Sequence, residues 1–299
     1  MTITRSLHPA DLWPGIKAHF GLRYKENDPV WNKVFKKQGS DKAYEKVVEA
    51  TGFGLAAAKG EGQSISYDTD AEGITNTLTP VVYGLGYIVT REEREDNLYV
   101  DKSMSRTTGL AFSMHQTTEI VHANILNRAF NASYTGGDGV ALCSNAHVTR
   151  SGNQSNLLTA ADLSESAVED AVKAIRQATN ARGLKINLKP KALIIHTDDE
   201  FNATRIFRSD MRVSTANNDI NALRVMGSIP EIVPYVYLTD NDAWFVQTDA
   251  PEGLLSYWRR EVEFDKDDEF DTENAKAKAT MRFSTGWGDY RAVWGSAGA

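Results

Sequence analysis

The sequence holds a single cysteine, Cys143, among 299 residues. That excludes an internal disulfide and a zinc site built on several thiolates. Long apolar runs are also missing, since none approaches the roughly 18–20 residues that cross a bilayer. The opening stretch MTITRSLHPADLWPG has no apolar core of signal-peptide length. The expectation is a soluble protein made inside a cell. A basic excess is lacking too: the net charge is −7, and residues 1–60 alone lean the other way, with ten Lys/Arg against six Asp/Glu. Strong nucleic-acid binders carry a basic domain, so this balance argues against tight sequence-specific DNA binding. Much of the acid sits in EVEFDKDDEFDTE (Glu261–Glu273), where eight acids meet one base, Lys266. What is present is ordinary: 41% hydrophobic and 24% charged residues. That is enough apolar surface to offset chain entropy and exclude disorder over the whole chain.

Pro9, Pro14 and Pro29 break regular structure early, so residues 1–60 read as an irregular arm with helical pieces. DKAYEKVVEA (Asp41–Ala50) suggests one short helix with Tyr44, Val47 and Val48 on its apolar side. From Ser64 to Val89 the period becomes two. Ile65, Tyr67 and Thr69 alternate with polar neighbours, and Val81, Tyr83, Leu85, Tyr87 and Val89 share a face. With a polar tip at Asp70–Gly73, this predicts a long β-hairpin. Gly84 and Gly86 would allow close backbone approach on the opposite face.

Thr90-Arg91-Glu92-Glu93 is a capping box, and the helical pattern after it runs to about Phe130 with Ala111, Met114, Val121, Ile125 and Ala129 on one stripe. Gly109 marks a place for a bend or break. Tyr134–Asn156 is a polar, Gly-rich loop, and Thr159–Ala181 an amphipathic helix stopped by Gly183. Ala192–His196 reads as a buried strand, followed by a second capping box at Thr197 that opens a helix through Phe207. Ile232–Tyr237 and Ala243–Gln247 suggest a hairpin. In Lys276–Phe283, Ala277, Ala279, Met281 and Phe283 alternate with Lys276, Lys278, Thr280 and Arg282, and Tyr290–Trp294 supplies a last strand. Long helix, hairpins and a separate αβ region together predict an α+β fold.

Catalytic chemistry is sparse. Cys143 and His147 could pair as thiol and base, but four-residue spacing does not activate a thiol, and a small buried cysteine fits equally. His115, Glu119 and His122 share one helix face, half of a carboxylate–histidine metal site. No second set is available to complete it, which favours a core or interface role. Thr135-Gly136-Gly137-Asp138-Gly139 lacks the Lys-Ser/Thr of a phosphate loop, and the acids of Asp265–Glu273 lack EF-hand spacing. No catalytic, cofactor-binding or metal residues are assigned.

The order of elements nevertheless resembles a known family, the major capsid proteins of tailed bacteriophages with the Hong Kong 97 type fold. Ser64–Val89 is similar to their extended loop (E-loop) and Thr90–Phe130 to their spine helix. DGVALCSNAH (Asp138–His147) resembles the Asp-Gly…Ser-x-x-His stretch that follows the spine in one branch. KPKALIIHTDDEFNATRIF (Lys189–Phe207) looks like the family's strand-then-helix, and GSIPEIVPYVYLTDNDAWFV (Gly227–Val246) like its axial hairpin. EFDKDDEFDTENAKAKATMRFSTGWGDYRAVW (Glu263–Trp294) is similar to its closing strands.

The resemblance implies an arm over 1–62, an extended loop over 63–90, a spine helix and following loop of the peripheral domain over 91–157, an axial domain over 158–250, and closing peripheral strands over 251–299. It implies self-assembly as homo-pentamers and homo-hexamers into an icosahedral shell around double-stranded DNA. A separate scaffolding protein, a portal protein and a decoration protein would be its partners, with no membrane. The shell would be the virion capsid, assembled in the host bacterial cytoplasm.

Inter-subunit contacts are expected from Asp68, Asp70, Glu72, Gly73, Ile74, Tyr83 and Tyr87 of the loop. From the arm, Trp13, Phe20, Trp31, Lys33, Lys36 and Lys37 are expected to contact acidic surface of a subunit or packaged DNA. Gln63–Thr90 contains no Lys, so the lysine crosslink of some relatives is not expected, nor is removal of a long leading segment. An encapsulin-like bacterial shell and a Cys143-dependent hydrolase are the competing readings.

Overall fold

The computed structural model describes residues 13–95, 99–212, 219–269 and 273–299. Helix α1 (Trp13–Lys25) and the short α2 (Trp31–Val34) lead into strand β1 (Lys36–Gly39). Strands β2 (Glu45–Ala50), β3 (Glu72–Leu78) and β4 (Val81–Val89) follow, then helices α3 (Arg91–Glu95) and α4 (Tyr99–Asn127). A small hairpin, β5 (His147–Thr149) and β6 (Gly152–Gln154), precedes α5 (Glu165–Arg176), β7 (Pro190–Ile195), α6 (Glu200–Arg208) and α7 (Ala222–Met226). The chain closes with β8 (Glu231–Pro234), β9 (Trp244–Thr248), β10 (Leu254–Asp268), β11 (Ala275–Trp287) and β12 (Val293–Ser296). The mixture is α+β, and no described helix is long and apolar enough to cross a membrane.

Two four-stranded sheets organise the chain. The first has the order β1-β10-β11-β4 and the second β12-β9-β7-β8. In β11 the alternation turns Ala275, Ala277, Ala279, Met281 and Phe283 inward under α4. Three alanines on that face let the helix lie close, and the Thr118 hydroxyl reaches the Met281 sulfur at 3.4 Å. In the second sheet β7 is buried on both sides. Ala192 and Ile194 face the core shared with α4, while Leu193 and Ile195 face a second core under α5 and α6. That explains why Ala192–Ile195 reads as an unbroken apolar run.

The spine pattern forms as α3 and α4, with residues 96–98 outside the described set. Helix α4 continues uninterrupted through Gly109, so there is no break at that position. The Thr90 cap is made, with the Glu93 N–H donating to its hydroxyl at 3.3 Å. The Glu93 carboxylate does not reach back but forks with Arg106, both contacts at 2.9 Å. At the second capping box His196, not Thr197, caps the turn, accepting the Asp198 N–H.

Three strand expectations need correction. Asp41–Ala50 is no helix: Glu45–Ala50 is strand β2, paired antiparallel with β3. Two adjacent β-branched valines and a partner strand outweigh the weak helical preference of so short a run. The expected hairpin within Ser64–Val89 does not form, because β3 pairs with β2 and β4 pairs with β11. Buried Pro80 lies between them and lacks the N–H a continuous ladder needs. The long hairpin that does form is β2–β3 with its connection, residues 51–71. Finally, β8 and β9 do not pair with each other; β7 lies between them, parallel to one and antiparallel to the other.

Candidate assembly surface

Residues 51–71 leave the β2–β3 ladder without regular structure, and their apolar side chains are not covered. Phe53, Leu55 and Ile65 are exposed, and Tyr67 is 90% exposed. A folded chain does not gain by exposing large apolar groups in one place unless something covers them. The loop is cross-tied near its base. Thr51 bonds to the Ala71 carbonyl through its N–H and its hydroxyl, and Gly52 N–H donates to Asp70 at 2.8 Å. Farther out, Gly54 N–H donates to Asp68 at 2.8 Å. The N–H groups of Gly54 and Thr69, then the Arg182 guanidinium, hold the Asp68 carboxyl below its usual range.

The base itself is locked to three other parts of the fold. Asn76 on β3 is buried; its amide donates to the Gly288 carbonyl at 2.8 Å and its oxygen accepts the Gly137 N–H at 2.5 Å. Gly137 has to be glycine there, since a Cβ would stand 1.9 Å from the Thr75 carbonyl oxygen. The Gly-rich loop is thus a backbone seat for β3.

Arg291, 3% exposed, completes the lock. It meets Glu49 of β2 at 2.7 Å and Asp289 at 3.2 Å, and donates to the Thr179 carbonyl at 2.9 Å and to Gln154 at 3.0 Å. Strand β2, the loop after α5, the β5–β6 hairpin and the C-terminal turn therefore meet on one guanidinium. Beside it His147 stacks on Tyr290 at 3.7 Å. Its ring contacts Asp138 at 2.5 Å through Nδ1 and Asn156 at 3.0 Å through Nε2. The Asn156 amide donates to the carbonyls of Leu142, Tyr290 and Val293, so its oxygen is the atom that faces His147 Nε2.

These contacts decide the Cys143 question locally. Both His147 nitrogens are engaged away from the sulfur, and burial pushes the Cys143 thiol far up. Its sulfur lies 2.9 Å from where a Cβ on Gly295 would stand. This is a packing cysteine.

His115, Glu119 and His122 are all buried on α4, under the arm. Glu119 accepts the Val30 N–H at 2.7 Å, and burial raises its carboxyl. His122 bonds the Thr118 carbonyl at 2.7 Å and the Ser256 hydroxyl at 2.8 Å, leaving no lone pair for a metal. Burial pushes it down to about 4. Burial also lowers His115, against a smaller opposing effect from the Asn27 backbone.

The arm residues named from sequence fall into two sets. Phe20 and Trp31 are buried within their own chain, Phe20 5.2 Å from Phe264 and Trp31 stacked 4.2 Å from His122 and 5.7 Å from Trp258. Lys37 meets Glu261 at 2.6 Å and lies over the Trp258 ring. Lys33 and Lys36 are exposed. Residues 1–12, the Trp13 side chain and residues 270–272 of the acidic run lie outside the described residues.

Among the loop residues, Asp68 and Asp70 hold the connection. Glu72, Gly73 and Ile74 open β3, with Gly73 and Ile74 against Glu49. Tyr83 and Tyr87 belong elsewhere. Tyr83 packs on Phe283, and the Tyr87 hydroxyl bonds Thr107 at 2.8 Å, both within the first sheet and spine of the same chain. Sequence reasoning missed Asn76, Arg182 and Arg291. Paired glycines at 136–137 were the one available signal for the seat of β3.

The fold recurs in solved structures. The chain is similar to a virus-like particle protein from Pyrococcus furiosus, with 9% identity over 94% of this chain and 97% of the other, at a TM-score of 0.53. It is similar to a chain of Mycobacterium phage Patience, with 10% identity over 99% and 90% and a TM-score of 0.54. The capsid chain of a native GTA particle gives 10% identity, 88% coverage of both chains and a TM-score of 0.54. No curated protein matches the sequence. Residues 74–296 match the family described as phage capsid protein.

Proposed function

The chain belongs to the phage capsid protein family, and we propose from that premise that it is the major capsid protein that builds an icosahedral shell through its extended loop. The family supports a structural role, in the capsid of a virion. In our reading the shell is tiled by homo-pentamers and homo-hexamers and encloses double-stranded DNA. Scaffolding and portal proteins serve its assembly.

One observation carries the loop's role: Phe53, Leu55, Ile65 and Tyr67 stand uncovered on a connection whose base is locked in place. A second copy is the natural cover, because head-to-tail contacts of this kind close into rings. The basic arm, by contrast, is packed through Phe20, Trp31 and Lys37 on its own chain. That supports an architectural role for most of it, with Lys33 and Lys36 left to face a neighbour or DNA.

The test is to replace residues 54–68 by two glycines and examine the product by negative-stain electron microscopy. Gly54 and Asp68 are already hydrogen-bonded, so the shortened chain closes easily. The expected result is a folded, soluble subunit that forms no particles. Normal particles from this variant refute the reading.

A further inference from the structure

We propose that Arg182 is a positioning residue for assembly, holding the far end of the extended loop in its working direction through Asp68 and Thr69. The proposal rests on the reading of that loop as the assembly element, and it adds a part of the molecule that the loop itself does not contain.

The Arg182 guanidinium contacts Asp68 at 2.8 Å through Nη1 and donates to the Thr69 carbonyl through Nη2. A fork onto a carboxylate and a carbonyl fixes direction as well as distance. Among the described residues these are the hydrogen bonds that tie residues 53–69 to the rest of the fold. Asp68 in turn binds Gly54 N–H on the opposite limb, so one guanidinium holds both limbs of the connection.

The anchor is itself built to stay still. Asn180 accepts the N–H of Arg182 at 3.0 Å and of Leu184 at 2.9 Å through its side chain. Gln154 grips the Asn180 carbonyl at 2.7 Å, and Gly183 sits at φ +83, a left-handed turn suited to glycine. The Arg182 side chain is 12% exposed, which limits the screening that weakens surface pairs. Gln154 also bonds Arg291. The lock at the base of the loop and the anchor at its end thus share one side chain, which keeps their relative positions fixed.

The consequence is entropic. An unstructured connection with uncovered apolar groups loses freedom when a second copy covers it, and that loss subtracts from the contact energy. A loop already held in direction loses less. Removing the anchor should therefore weaken assembly without unfolding the subunit.

Arg182→Ala in the full chain is the test, with amide hydrogen exchange on unassembled subunits and light scattering against concentration for assembly. Exchange across residues 53–69 should rise, and the concentration needed for particles should increase about two- to fivefold, the range of a partly exposed ion pair. Asp68→Asn keeps an oxygen for Gly54 N–H but drops the charge. It should shift both readouts the same way, and the double variant should be no worse than Arg182→Ala. Should Arg182→Ala misfold by circular dichroism, Asp68→Asn on the exposed loop still decides the question.

Unchanged exchange overturns the proposal. So does faster exchange with an unchanged or lower assembly threshold. Replacement of residues 54–68 is run alongside: if it still assembles normally, the reading of the loop has failed, and the exchange data alone then show whether Arg182 holds it.

Discussion

Thr51 and Asn76 sit at the base of the extended loop and are buried, while Phe53 and Tyr67, a few residues farther out, are exposed. Between them the kind of restraint changes. The base is held by backbone seats that admit only glycine, by a doubly bonded asparagine and by a buried guanidinium shared among four segments. The far end is held by one partly exposed fork from Arg182. Substitutions at the base should therefore act on folding, and those at the end on assembly.

The largest effect expected is at Gly137. An alanine Cβ would stand 1.9 Å from the Thr75 carbonyl oxygen, and two backbones cannot part without breaking the Asn76 contacts. Gly137→Ala should cost about 3 kcal/mol or more, read as loss of soluble protein or a large fall in melting temperature. A variant as stable as the parent would show that the base is not rigid.

Arg291→Met comes next. It leaves Glu49 and Asp289 facing each other without their cation, and Asp289 is already raised by burial. Removing one partner of a buried ion pair costs about 3–5 kcal/mol. Denaturant unfolding should show the loss, and Glu49→Gln should recover part of it in the double variant by removing the stranded charge.

How far this division could be read from the sequence depends on the distance over which each contact acts. Helix α4, the alternation of β11 and the two-sided burial of β7 were legible, because each is written in a local period. The pairing of β2 with β3 was not. Val47 and Val48 suit a helix face or a strand, and the choice depends on residues 72–78. Pro80 marked the break between β3 and β4, yet alternation on both sides hid it. Asp68 could be named from its place in the loop. Its partner lies 114 residues away, and no spacing rule reaches that far. Arg291 reads in sequence as a surface base, and only the arrival of Glu49, 242 residues before it, makes it a buried one.

Acid should separate the spine core from the loop. His122 is buried and neutral, pushed down to about 4 from an ordinary value near 6.5. A depressed group contributes stability that is present above its unfolded value and lost as pH falls toward the folded one. Between pH 7 and pH 5 the loss is about 2 kcal/mol. His115 shifts in the same direction. Glu119 is raised, so it opposes the trend just above the ordinary carboxylate range. His122→Gln should flatten the dependence measured by denaturant unfolding. The loop presents no buried histidine, so its exchange protection, corrected for the intrinsic pH dependence of amide exchange, should not follow this titration.

The smallest effect on stability, and the sharpest contrast, is expected at the far end itself. Phe53, Leu55 and Tyr67 are exposed in the single chain, so each changed to Ser removes little apolar area from a buried state. Exposed substitutions away from caps, cores and networks stay within about 0.5 kcal/mol. The triple variant should therefore unfold at the same denaturant concentration as the parent. In the proposed shell the same three side chains would be covered, and each fully buried apolar side chain is worth about 1.5–3 kcal/mol. Summed over every copy in a closed particle, their loss should abolish assembly at concentrations where the parent forms shells. A triple variant that melts normally and still yields particles would place the assembly energy elsewhere, and the contrast between base and end would then describe only the folding of one chain.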